Sequence, residues 1–193
     1  TTRGSLMLGG VSINGINRNI DAFRLAEVRR TSSDAARASA EVDGMQSIET
    51  AVEQGGLYDA SVKFEGALQQ LASDPTNGPL RAAVMPSAGT LASAFNVTSK
   101  SLDAVGDGLR FEAQGGVDQV NQLAGELARL NGQLAKTARG GGDQSALLDQ
   151  RDTLLQKMSA HVDITTTISA NNTVEVRLGG SEGPQLVTGA TAA

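Results

Sequence analysis

Acid–base or nucleophilic chemistry needs titratable side chains that converge on one point. His161 is the only histidine in the 193 residues, and cysteine is absent. The missing cysteines exclude disulfides, thiolate nucleophiles and thiolate metal sites together. A Ser–His–Asp triad would have to use this one imidazole, and no Gly-x-Ser-x-Gly elbow accompanies it. A zinc site would have one histidine, no thiolate and no His-Glu-x-x-His helix. His161 lies where a helical pattern gives way to a strand pattern, and it reads as a boundary residue satisfied by backbone or water.

Three other clusters invite a chemical reading. Arg139-Gly140-Gly141-Gly142-Asp143 precedes a helix, but no strand leads into it and no Gly-Lys-Ser/Thr follows, so it reads as an inter-helix linker rather than a phosphate cradle. Asp103, Asp107 and Glu112 lie on a helical pattern without the glycine and terminal glutamate of a calcium loop, which makes them a solvated face. The most distinctive local run is Leu147-Leu148-Asp149-Gln150-Arg151-Asp152. Asp149 and Asp152 are three apart, hence on one helix face near Arg151. The physical reading is an ion-paired helix start with acids favoured by the helix dipole. A catalytic carboxylate pair would need a pocket and a pKa-raising environment that nothing in the sequence supplies. No catalytic, cofactor-binding or metal-binding residue is assigned, no cofactor is expected, and the chain reads as a non-enzyme.

The elements that position these residues come from pattern. Aromatics are 3% of the chain, thin for a compact globular core but suited to narrow helix seams of Leu, Val and Ala. The 23 glycines mark many breaks. Net charge is -5, so there is no electrostatic footprint for nucleic acid or an anionic membrane. No apolar run approaches the roughly 18 residues of a membrane span, and no secretory signal is visible. An opening of Thr1-Thr2-Arg3 reads as part of a longer protein.

Val11 and Ile13 alternate with polar neighbours and predict a short strand, after which Asn19 or Asp21 can cap a helix. That helix is expected over about 22–53, its inward stripe Val28, Ala35, Ala38, Val42, Met45 and Val52 with Ile48 beside it. Gly55-Gly56 ends it. A second helix over about 59–72 presents Phe64, Leu68 and Leu71, and Asp74–Pro79 is a dense turn. From Pro79 to about Arg139 a seam of Leu91, Phe95, Leu102, Val105, Leu109, Val120, Leu123, Leu127, Leu130 and Leu134 keeps a three-four spacing over 44 residues, about 66 Å at ~1.5 Å per residue. Gly106, Gly108, Gly115 and Gly116 weaken its middle, so packing support from neighbouring helices is expected there, and Pro86 should kink or start the helix. A last helix over about 145–160 turns Leu147, Leu148, Leu154, Leu155 and Met158 inward. The period then becomes two: Val162, Ile164, Thr166 and Ile168, then Val174, Val176 and Leu178, joined by Asn171-Asn172 as a β-hairpin. Gln185-Leu186-Val187 could add a strand. The expected fold is mainly α, an elongated helical bundle with long coiled-coil-like helices plus a small β element. Its expected division is a helical rod over 1–160 and a hairpin region over 161–193 forming the base of a next domain.

The order of several short runs carries a resemblance. Gly10-Val11-Ser12-Ile13-Asn14-Gly15-Ile16-Asn17-Arg18 with Asp21-Ala22-Phe23, Phe64 to Leu71, Asp74-Pro75, Pro79 to Val84, Val117 to Ala124, Leu127 to Asn131, and above all Leu147 to Asp152 with the hairpin behind it, resemble the flagellar hook-associated protein 1 (hook–filament junction protein) family. The likeness runs from about Gly9 to Val187. It implies a structural component of the bacterial flagellum between hook and filament. It also implies extracellular location and export by the flagellar type III apparatus, with copies of itself in a ring, hook protein and a second junction protein as partners. The family's paired terminal helices and its Pro-Gly-Tyr segment have no counterpart here, so the chain is expected to be a central fragment lacking both terminal regions. The export chaperone grips the C-terminal helix in this family, and its site is expected to be absent. Alternatives are another flagellar axial protein (hook, flagellin-like or second junction protein) or a non-flagellar helical protein-binding module.

Overall fold

The computed structural model describes residues 22–193. The expected strand at Val11 and Ile13, the cap at Asn19 or Asp21 and the run Gly10–Arg18 lie outside those residues. Among the described residues, four helices are followed by four strands: α1 (Ala22–Gln54), α2 (Leu57–Ser73), α3 (Gly78–Gly140), α4 (Ser145–Ser159), β1 (Ile164–Ile168), β2 (Val174–Leu178), β3 (Gln185–Thr188) and β4 (Thr191–Ala192). The fold is mainly α and elongated, with long helices and a small antiparallel sheet. The 63 residues of α3 alone span about 95 Å.

Local chemistry sets each boundary. Asn77 caps α3, its Oδ1 accepting the Leu80 N–H at 3.2 Å with Pro79 in the first turn. Asp74 accepts from Thr76 Oγ1 and Asn77 Nδ2, and these bonds hold its carboxyl below the usual carboxylate range. Gly141 ends α3 in the left-handed region at φ 66°. There its N–H donates to Ala138 O and that of Gly142 to Thr137 O, a Schellman closure that frees the chain for α4. Asp143 Oδ1 then accepts the Ser145 N–H at 2.9 Å and its hydroxyl at 2.7 Å, which lowers the Asp143 pKa. Pro86 lies inside α3, which continues through it. The proline therefore neither starts nor interrupts the helix.

The first three helices form a long ribbon. α1 and α2, broken at Gly55-Gly56, run antiparallel to α3: a Cβ on Gly55 would meet Thr98, and one on Gly44 would meet Leu109. Arg29, earlier in α1, reaches Thr166 beyond α4. The face of α1 turned inward is made of Arg29, Gly44, Ala51 and Gly55, all buried. This departs from the expected stripe. Val28, Val42, Met45, Ile48 and Val52 are exposed, Met45 to 69%, and Ala35 and Ala38 are exposed too. Small residues let α1 approach α3 closely, and the larger side chains are turned away. On α2, Phe64 and Leu71 are half-buried while Leu68 is exposed.

The seam of α3 divides in two. Val120, Leu123, Leu127, Leu130 and Leu134 are buried, Leu91 and Val105 half-buried, and Phe95, Leu102 and Leu109 exposed. Where α3 is supported by α1 and α2 only, two layers of helix cannot enclose the whole stripe. At about 100° per residue, Met45, Ile48 and Val52 of α1 share one side of the ribbon with Phe95 and Leu102 of α3. Where α4 and the sheet join, enclosure is complete. That core gathers Leu123, Leu127 and Leu134 from α3, Leu154, Leu155 and Met158 from α4, Val174 and Val176 from β2, and Leu186 and Val187 from β3. The sheet is a meander in the order β1-β2-β3-β4, with Ile164 opposite Leu178 and Ile168 opposite Val174. Alternation puts Val174 and Val176 on one face, both fully buried.

Candidate functional site

The chemistry-bearing residues are dispersed along the molecule. His161 is exposed just past α4, its backbone N–H donating to Met158 O at 3.0 Å. Asp107 pairs with Arg110 at 2.8 Å on the surface of α3, and Asp103 and Glu112 are exposed on the same helix. Among the described residues, no group of His, Asp and Glu side chains is arranged to hold a metal ion, and no helix is long and apolar enough to cross a membrane.

The polar groups that do converge lie where ribbon and sheet meet. Arg151 is buried in α4, its Nε and Nη2 both donating to Asp152 Oδ1 at 3.0 and 2.8 Å. Its remaining Nη1 donates to the carbonyl of Asn172 at 3.1 Å, in the β1–β2 turn. Asn172 sits at φ 65°, a left-handed conformation that asparagine tolerates better than most side chains. Its Nδ2 donates to Gln144 Oε1 at 2.7 Å, and Gln144 Nε2 donates to Leu134 O at 2.8 Å. One chain of hydrogen bonds thus ties the end of α3, the start of α4 and the hairpin tip. The guanidinium fork suits this task, since its donors are fixed in one plane.

Arg29 approaches the same region from α1, donating to Thr166 Oγ1 on β1 at 3.2 Å. Burial pulls its pKa down, the Asp152 carboxylate pushes it back up, and Arg151 adds to the depression. The two guanidiniums therefore share the field of one carboxylate.

A second lock lies deeper. Asn131 of α3 is fully buried, its Nδ2 donating to the carbonyls of Val174 and Gly189 at 2.8 and 2.7 Å. Its Oδ1 accepts the Val174 N–H at 3.0 Å. One side-chain amide thus meets β2 and the turn before β4 with both its donors and its acceptor.

Of the run 147–152, Arg151 and Asp152 enter this junction, Leu147 and Leu148 pack half-buried against the core, and Asp149 and Gln150 are exposed. Asp149 and Asp152 therefore do not form a converging pair. Sequence reading missed Asn131 and Arg29. Asn131 interrupts an apolar helix face between Leu130 and Leu134, and that interruption is the one signal that could have marked it.

This arrangement holds parts of the fold together: Arg29, Asn131, Gln144, Arg151 and Asn172 each bond one part of the fold to another, and Asp152 anchors the Arg151 fork. Comparison with known proteins agrees with a structural reading. Residues 43–193 match the family described as flagellar hook-associated protein FlgK helical domain. Flagellar hook-associated protein 1 of Escherichia coli (strain K12) is 26% identical over 187 residues, covering 95% of this chain and 34% of that protein. Flagellar hook-associated protein 1 of Bacillus subtilis (strain 168) is 32% identical over 139 residues, 72% of this chain and 27% of its own length. The chain thus spans 34% or less of the length of these curated relatives. The solved structure of the flagellar hook junction protein FlgK from Burkholderia pseudomallei has a TM-score of 0.65 at 24% identity, covering 88% of this chain and 29% of its own, so the fold is shared. The family match runs from Asp43 through the sheet, well over half of the chain, and the chain belongs to the flagellar hook-associated protein FlgK helical-domain family.

Proposed function

We propose that this chain serves as a non-enzymatic structural segment of the bacterial flagellum, within an adaptor between hook and filament. It acts through stiffness and subunit contacts. The observation that carries this reading is the family match over residues 43–193, on a fold in which the buried side chains of Arg29, Asn131 and Arg151 each bond one element to another. Its place is extracellular, reached through the flagellar type III apparatus. Its partners are copies of itself in a ring, hook protein and a second junction protein. Residues 1–160 form the rod of this segment and residues 161–193 the base of a following domain. Support for that division comes from the change of element type there, since the last helix ends at Ser159 and the strands of the β1–β4 meander follow.

Deletion of the parent gene tests the role. Cells are expected to keep hooks, lose attached filaments and swim no longer, with recovery on complementation. Motile cells bearing intact filaments would remove the junction role.

A further inference from the structure

We propose that residues 106–116 of α3 form a flexure built into the rod, a short stretch where the long helix bends more easily than on either side. Four of these eleven residues are glycines: Gly106, Gly108, Gly115 and Gly116. A glycine in a folded chain answers one of three needs: a left-handed backbone, close approach of a neighbouring atom, or freedom of the backbone itself. The first is absent, because none of the four has a positive φ and all lie within α3. The second is absent as well. A Cβ built on each of the four meets nothing within 4 Å. Alanine would fit at every one of these positions and would favour the helix. Backbone freedom is what glycine confers there.

The packing around the stretch points the same way. Between Thr98 and Val120 no residue of α3 is buried. Thr98 lies against the α1–α2 break, and Val120 begins the core shared with α4 and the sheet. The intervening span has α1 beside it, at a point where α1 itself carries Gly44 against Leu109. A groove of about 920 Å³, lined by Gly44, Val105, Leu109, Gly116 and Val120 among others, opens between the two helices there. Soft backbone and thin packing therefore coincide.

A second molecule pressed against a small-residue face would be the rival account. At about 100° per residue, Gly108 and Gly115 share one side of α3, while Gly106 points nearly opposite and Gly116 lies between. No single neighbour reaches all four.

The inference holds for the chain alone, whatever its partners, and the test uses it so. With no native cysteine, Lys100→Cys and Gln122→Cys place spin labels at exposed positions on either side of the stretch, about 33 Å apart along the helix. Double electron–electron resonance then reads the spread of distances. The chain with its native glycines is expected to give a distribution at least twice as wide as that of G106A/G108A/G115A/G116A. The control G66A/G89A/G125A, whose added methyls also meet nothing, is expected to keep the native width. Amide exchange over 106–119 should slow in the first variant by at least about fivefold, the factor one glycine-to-alanine replacement carries in a helix. A narrow native distribution, an unchanged width in the fourfold variant, or equal narrowing in the control would each overturn the flexure.

Discussion

Replacing Asn131 by alanine removes three hydrogen bonds and leaves the Val174 N–H and the carbonyls of Val174 and Gly189 without their amide partner inside the core. Unsatisfied buried groups cost more than a net hydrogen bond contributes, so N131A should lose roughly 2–4 kcal/mol in denaturant unfolding. Asn131→Asp adds a pH signature. Its carboxyl would be buried facing two carbonyl oxygens, which disfavours the charged form and raises the folded pKa. The unfolded chain releases that proton near pH 4 while the folded chain retains it. Stability of N131D should therefore fall as pH rises from about 4 until the folded group also ionises. A melting temperature for N131D that tracks the parent protein across that range would refute the lock. At Arg151, lysine keeps the charge but cannot fork onto Asp152 and reach the Asn172 carbonyl together. R151K should cost about 2 kcal/mol and R151A about 3 kcal/mol or more, since one partner of a buried pair is lost. Equal melting points for R151K and the parent would show that only charge matters at this position.

Elements differed in how much of them could be read from the chain. Gly55-Gly56, Asp74–Pro79 and Arg139–Gly142 announced their breaks, and Val174, Val176 and Leu178 announced a strand, because turn chemistry and period are local. The inward face of α1 was not legible. Its apolar residues Val42, Met45 and Val52 repeat at helical spacing, yet Gly44, Ala51 and Gly55 make the contact. Periodicity finds an apolar stripe without saying what lies against it, and a close helix crossing selects small residues that carry no hydropathy signal. Asn131 and Arg29 escaped for a related reason: their partners are strand groups 43 and 137 residues away. The α1 crossing is testable at its tightest point. A methyl on Gly55 would clash with Thr98 Oγ1 and stand 3.0 Å from its Cβ, so G55A should destabilise by about 1–3 kcal/mol through overpacking. Thr98 Oγ1 is itself buried with no hydrogen-bond partner. T98A should thus be neutral or slightly stabilising, and a large loss on T98A would overturn this account of the crossing.

At the scale of the whole molecule, cohesion is graded along the long axis. The sheet-capped end encloses Leu127, Leu134, Leu155, Met158, Val174, Val176 and Val187 almost completely, with Asn131 and Arg151 bonded across it. The ribbon end has Ala51, Ala60 and Ala94 as its buried apolar residues and leaves Phe95, Leu102 and Val52 exposed. Local opening free energy follows buried apolar contact and shielded backbone bonding, so the two ends should not open together. Amides of residues 124–134, 154–158 and 174–177 should exchange only through the largest opening, while those of α1, α2 and the first half of α3 exchange through smaller ones. Side-chain truncation should follow the same gradient: Leu134→Ala is expected to cost 2–5 kcal/mol by the usual scale for a buried leucine, and Leu102→Ala less, about 1–2 kcal/mol, because Leu102 is already 36% exposed and has less buried apolar surface to lose. Pulse-labelled hydrogen exchange and denaturant unfolding of these two variants measure both halves of the claim. Uniform protection from Ala22 to Val187, or equal losses at Leu102 and Leu134, would mean that the ribbon and the capped end form one cooperative unit. The rod would then be stiff throughout rather than anchored at one end.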